Sequence, residues 1–129
     1  MEKFNSQICT SREQSERLLA LGLKKETADC GIYYSELAGC DRMFAKIEYE
    51  FEADEIPAWS LHRLIEMCPD YIEENYFGVS AVDVSYYFGL CEGSIGYKFV
   101  REGGNLYDNI INCIEWLIKE GYFNREYLL

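Results

Sequence analysis

The sequence predicts an α+β domain in which a small antiparallel sheet of about three strands, a hairpin among them, is covered on one face by about three helices. Three observations carry that prediction. Helical stripes are bounded by their own capping and terminating residues. Two stretches alternate apolar and polar side chains with period two. The elements follow one another as α, β, α, β-hairpin, α. At 129 residues, 49% of them apolar, the chain suffices for one core. Residues 1–129 therefore read as a single domain rather than a disordered chain.

Thr10-Ser11-Arg12-Glu13-Gln14 reads as a helix start, with Ser11 and Gln14 spaced as a capping box. The helix runs through Leu18, Leu19 and Leu21 and stops at Gly22. Thr27 offers a second N-cap ahead of Ala28-Asp29-Cys30. In the stretch from Gly31 to Gly39, Tyr33, Tyr34 and Leu37 fit either a short helix or the start of a strand. From Lys46 to Glu52 alternation is strict: Ile47, Tyr49 and Phe51 face one way, Lys46, Glu48, Glu50 and Glu52 the other, as in a half-buried strand. Ala53-Asp54-Glu55 then turns into a helix over Ile56–Pro69, either carboxylate standing at its positive end. Pro57 suits the first helical position and Pro69 cannot continue the helix. Leu61, Leu64, Ile65 and Cys68 form its buried stripe.

Asp70 to Gly78 reads as a connector. Val82, Val84, Tyr86 and Phe88 share one face of a strand, Glu92-Gly93-Ser94 turns, and Ile95, Tyr97 and Phe99 return as a second apolar face. Gly89 and Gly96 inside this hairpin point to bulges or to close packing. Arg101 to Gly104 is a loop. Asn105 caps the last helix with Asp108 at the N3 position. Ile110, Cys113 or Ile114, Leu117 and Ile118 line the helix's inner side, Gly121 ends it, and Asn124 to Tyr127 add a final turn.

The formal charge is −11. Residues 41–75 hold ten acids against three bases, so −7 of that total lies in the middle of the chain. Such a surface repels phosphate backbones and anionic lipid, which disfavours nucleic acid and membrane as direct partners and favours a basic protein. No apolar run approaches 18 residues, the minimum for a membrane span. Met1 to Gln7 shows no apolar leader, so the six cysteines read as free thiols in a reducing cytoplasm. Eleven tyrosines exceed what a core absorbs, so several are expected half-exposed, rings packed and hydroxyls wet.

The chain lacks the usual signatures of catalysis. His62 is the single histidine, which excludes multi-histidine metal sites and the HExxH arrangement. The cysteines show no CxxC spacing, and a Cys–His nucleophile would need Cys30, Cys40 or Cys91 carried to His62 by the fold. Glu92 to Gly96 departs from a nucleophile elbow because Glu92 stands where that motif has glycine. Gly103-Gly104-Asn105 opens a helix that could hold an anion with Arg101 nearby, and turn plus cap accounts for the same residues. Cofactors are accordingly expected to be none.

Three segments resemble a group of small proteins found in prophages and mobile elements of gut bacteria. They are Gln14-Ser15-Glu16-Arg17-Leu18-Leu19-Ala20-Leu21-Gly22-Leu23 with Glu26-Thr27-Ala28-Asp29, then Ile56-Pro57-Ala58-Trp59-Ser60-Leu61, and the ending Ile114 to Phe123. The resemblance implies a phage- or element-linked context and no activity, and it does not extend to residues 42–54 or 71–78.

Two functional expectations follow. In the first, the protein is a non-enzymatic accessory protein that binds another protein, or a further copy of itself, through an acidic, tyrosine-rich surface carrying Glu48, Glu50, Glu52, Asp54 and Glu55. The alternative for that acidic row is a solvated strand edge guarded against association. In the second, the protein is a small enzyme or ligand-binding domain with an aromatic pocket between hairpin and helices, framed by Trp59, His62, Tyr86, Tyr97 and Trp116.

Overall fold

The computed structural model describes residues 7–46, 50–89 and 95–129. Among them the elements are α1 (Arg12–Ala20), β1 (Cys30–Ser35), β2 (Cys40–Ala45), β3 (Ile56–Ala58), α2 (Leu61–Met67), β4 (Tyr71–Ile72), β5 (Asn75–Ser80), β6 (Asp83–Gly89), β7 (Ile95–Arg101) and α3 (Leu106–Glu120). Short 3-10 turns occupy Lys25–Thr27 and Arg125–Tyr127. The class is α+β, as expected, but the strands form two antiparallel sheets, ordered β2-β1-β3 and β4-β5-β6-β7. Two compact units result: residues 1–63 with 127–129, and residues 64–126.

In the N-terminal unit, α1 starts as its sequence dictates. Ser11 Oγ accepts from Gln14 N and Gln14 Oε1 accepts from Ser11 N, the reciprocal capping box. The ambiguous Gly31–Gly39 stretch is a hairpin. β1 and β2 pair from Cys30 with Ala45 to Ser35 with Cys40, and Gly39 at φ 68° closes the turn by donating to Ser35 O. Gly31 lies opposite Phe44, and a Cβ there would come 2.2 Å from Phe44 Cζ, so the ring occupies the space glycine leaves.

Three expectations are corrected here. Ile56–Ala58 is strand and not helix. Pro57 sits opposite Gly31 on an edge strand, where a missing N–H costs no ladder bond. The helix begins later because Ser60 Oγ accepts from Arg63 N, while Asp29 accepts from both the backbone N–H and the hydroxyl of Ser60. Thr27 caps nothing: it ends a 3-10 turn and its hydroxyl accepts the indole N–H of the fully buried Trp59 at 3.0 Å. The alternating strand over 46–52 is not formed at Lys46, Glu50, Phe51 or Glu52, while residues 47–49 lie outside the described residues. The strand precedes that stretch, ending at Ala45.

In the C-terminal unit, α3 follows its sequence. Asn105 accepts from Asp108 N, Gly121 ends the helix at φ 79°, and Ile110, Ile111, Cys113, Ile114 and Leu117 are buried. The helix packs on β6 and β7. Val84, Tyr86 and Phe99 supply the sheet's inner face, and Trp116 stacks on Tyr86 and Phe99 at ring separations of 5.9 and 5.1 Å. The expected connector over 70–78 is instead β4 and most of β5, joined through Glu73 at φ 55°. The hairpin of β6 and β7 is present, and its expected turn at Glu92 to Ser94 lies outside the described residues. Of the stripe expected on α2, Leu64 and Cys68 are buried together with Met67, whereas Leu61 and Ile65 are half-buried.

Candidate functional site

A bulge in β7 builds the site. Tyr86 pairs with Phe99, but the next residue, Tyr87, pairs with Tyr97, so Lys98 is extra on β7. One inserted residue reverses the alternation. Phe99 therefore points inward at 5% exposure, while Tyr97 and Ile95 point outward at 50% and 55%. The expectation that Ile95, Tyr97 and Phe99 share an apolar face is overturned by that one insertion.

The outward face of β5, β6 and β7 then falls into three cross-strand rows. Tyr76, Tyr87 and Tyr97 lie opposite one another in the first, with Tyr76 60% exposed and its ring 6.3 Å from that of Tyr87. Gly78, Ser85 and Val100 form the second. Ser80 and Asp83 form the third, joined by Glu102, which follows the last ladder pair, Val84 with Arg101. Small residues in the middle row make a trough of about 360 Å³ between a tyrosine ridge and a carboxylate ridge, with Val79 and Ile95 adding aliphatic surface. A Cβ at Gly78 would meet Tyr87 Cε1 at 2.8 Å, so a side chain there would push the half-buried central ring aside.

Polar bonds hold the carboxylate ridge in place. Asp83 Oδ1 accepts from Gly103 N at 2.8 Å, and the Asn109 amide donates to Val82 O and Gly103 O, both at 2.7 Å. The third row is thus tied to α3 on either side of Asp83 and Glu102. None of the ten residues lining the trough is a base. Arg101, the nearest in sequence, carries its guanidinium 4.7 Å over the inward-facing Phe99 ring.

The residues singled out from the sequence are dispersed. Trp59 is fully buried in the N-terminal unit, and His62 is exposed on α2. Tyr86 is fully buried in the C-terminal unit and its hydroxyl donates to Pro69 O at 2.7 Å. Tyr97 and Trp116 lie on opposite faces of the sheet. Glu50, Glu52 and Asp54 are exposed, the half-buried Glu55 accepts from Glu52 N at 2.7 Å, and Glu48 lies outside the described residues. Tyr76, Asp83, Ser85 and Glu102 were not singled out. The pairing register groups them, and the bulge that sets it falls at Lys98 and not at Gly89 or Gly96. Gly96 instead gives the close packing that the sequence also allowed, since a Cβ there would come 2.4 Å from Phe88 Cζ.

The thiols of Cys9, Cys30 and Cys113 are poorly suited to nucleophilic work. Cys9 and Cys30 contact one another beside Ile32 and Ala58. Burial pushes the Cys9 thiol up to about 11; burial, then the Asp29 charge, pushes that of Cys30 up to about 12. A pKa near 12 leaves on the order of one thiolate in 10⁵ at neutral pH. The hydrogen bond to Cys68, then burial, raises the Cys113 thiol as well. Cys40 is exposed, and Cys91 lies outside the described residues. Among the described residues no three His, Cys, Asp or Glu side chains are grouped to hold a metal ion, and no helix is long and apolar enough to cross a membrane. No family model, no curated protein and no solved structure matches this chain.

Proposed function

We propose that the protein is a non-enzymatic binding protein that engages another protein through the outward face of its C-terminal sheet. The observation that carries this reading is the row Tyr76–Tyr87–Tyr97 across three paired strands, its outer two rings exposed and the central one half-buried. Tyrosine supplies large amphipathic contact area with few torsions to freeze, which is why it is enriched at recognition surfaces. The exposed carboxylates of residues 50–54 and the overall charge favour a basic partner. The three segments that resemble prophage and mobile-element proteins support an accessory role in that context, in the cytoplasm. A ligand-binding pocket framed by Trp59, His62, Tyr86, Tyr97 and Trp116 has less support, because Trp59 and Tyr86 have no exposed surface to offer.

A photo-crosslinking residue at position 97 tests the reading. It is expected to give a discrete adduct that excess unlabelled protein competes away and that Tyr76→Ala abolishes. The same residue at the hairpin-tip position Leu37, fully exposed in the N-terminal unit, serves as the comparator. No adduct from position 97, or an identical pattern from position 37, overturns the reading. An adduct with the mass of two copies identifies the partner as a second copy of this chain.

A further inference from the structure

We propose that the trough on the outward face takes a short extended segment of the partner protein in which basic residues alternate with aromatic or branched aliphatic ones. This rests on the binding reading above and names the chemistry of its partner.

The dimensions come from the ladder. Four residues separate the tyrosine row from the carboxylate row along β6, a span of about 13 Å at strand rise. Three strands at their usual spacing give a trough about 10 Å long, enough for about three extended residues. The Tyr87 ring leans over the floor at Gly78, its Cε1 2.8 Å from where a Cβ would stand, so the open width is less than the row spacing. A helix about 10–12 Å across with its side chains would rest on the ridges. An extended chain fits between them, and its side chains project alternately to the two sides. One set meets Tyr87 and Tyr97, whose row Tyr76 extends onto β5, and the other meets Asp83 and Glu102. Ser85 on the floor offers a hydroxyl to the peptide backbone.

Charge selects the second set. Asp83 opens β6, Glu102 follows the last ladder pair of β6 and β7, both carboxylates line the trough, and no base does. A lysine or arginine reaching either carboxylate forms a charge-assisted contact. The tyrosine ridge selects the first set, since ring faces reward apolar area. An acidic segment is repelled by the same carboxylates.

Three six-residue peptides, alternating Lys-Val, Lys-Gly and Glu-Val, test the assignment by calorimetry and by amide chemical shifts of the full chain. The Lys-Val peptide is expected to move the amides of Ser85, Tyr87 and Val100. Its affinity should fall about tenfold with Tyr97→Ala or Glu102→Gln, both exposed positions whose unchanged melting temperature verifies folding. The Lys-Gly peptide should bind at least tenfold more weakly and the Glu-Val peptide not at all. Three results would each overturn the proposal: no shift of those amides with millimolar Lys-Val peptide, equal binding of Lys-Gly, or binding of Glu-Val. If the peptides fail while the position-97 adduct persists, the segment chemistry is wrong and the binding surface stands. If both fail, the surface falls too.

Discussion

The two units are built by different means. The N-terminal unit is latched by polar bonds between residues far apart in the chain: Trp59 to Thr27, Asp29 to Ser60, Arg63 Nε to Thr27 O, and Thr10 with Trp59 through both backbone and hydroxyl. Its sheet is short, and the outer strand β2 is half-exposed along its length. The C-terminal unit relies on one 15-residue helix whose apolar side covers β6 and β7, with Trp116 stacked between aromatic rings. Mutational sensitivity should differ accordingly: the first unit should suffer most from a lost hydrogen-bond partner, the second from lost volume.

Ile114→Ala should give the largest effect. Ile114 has no exposed surface, and truncating a buried isoleucine typically costs about 2–5 kcal/mol because the cavity closes only in part. Denaturant titration reads the loss, and hydrogen exchange should locate it in α3 and β5–β7. Thr27→Val should come next, and it probes the other unit. It keeps the side chain's shape and removes the acceptor of the buried Trp59 N–H, whose unpaired burial costs about 1–3 kcal/mol. A cost below about 0.5 kcal/mol, the lower end for a hydrogen bond's net worth, would break the contrast between latch and packing.

The same contrast explains what a single sequence discloses. α1 and α3 were legible because their signals are local: Ser11 with Gln14, Asn105 with Asp108, and a glycine closing each helix, Gly22 and Gly121. β6 was legible because its alternation runs uninterrupted. β3 was not, because a proline at a helix start and a proline on an edge strand look alike until the partner is known, and that partner is Gly31. The start of α2 depends on Asp29, 31 residues away from Ser60. β4 and β5 were concealed by a turn that places Glu73, rather than glycine or asparagine, at positive φ. The charge of residues 50–55 was legible but its conformation was not. The candidate site was the least legible part. Tyr97 stands in a visible apolar alternation, but its outward pairing with Tyr87 requires the insertion of Lys98, which side-chain pattern alone does not reveal.

The smallest effect concerns the ion pair that joins α1 to β2. Arg12 donates to both oxygens of Asp41, at 3.0 and 2.9 Å, with each side chain about one-third exposed. Its geometry is bidentate, but solvent screens it, so Arg12→Ala should cost only about 0.2–1 kcal/mol, the range for exposed pairs. The hydrogen bond from Arg12, more than its charge, holds the Asp41 carboxyl below its ordinary 3.8. A folded-state pKa below the unfolded one means the contribution is complete above the ordinary carboxylate range and is lost as the pH falls through the folded value. The gap between wild type and Arg12→Ala should therefore be constant through neutral pH and close only under acid. It should also shrink in molar salt, because a pair this exposed lies within reach of counter-ions. If the gap widens in acid, or exceeds that of Thr27→Val at neutral pH, the N-terminal unit is held by its surface charges and the latch at Trp59 is secondary.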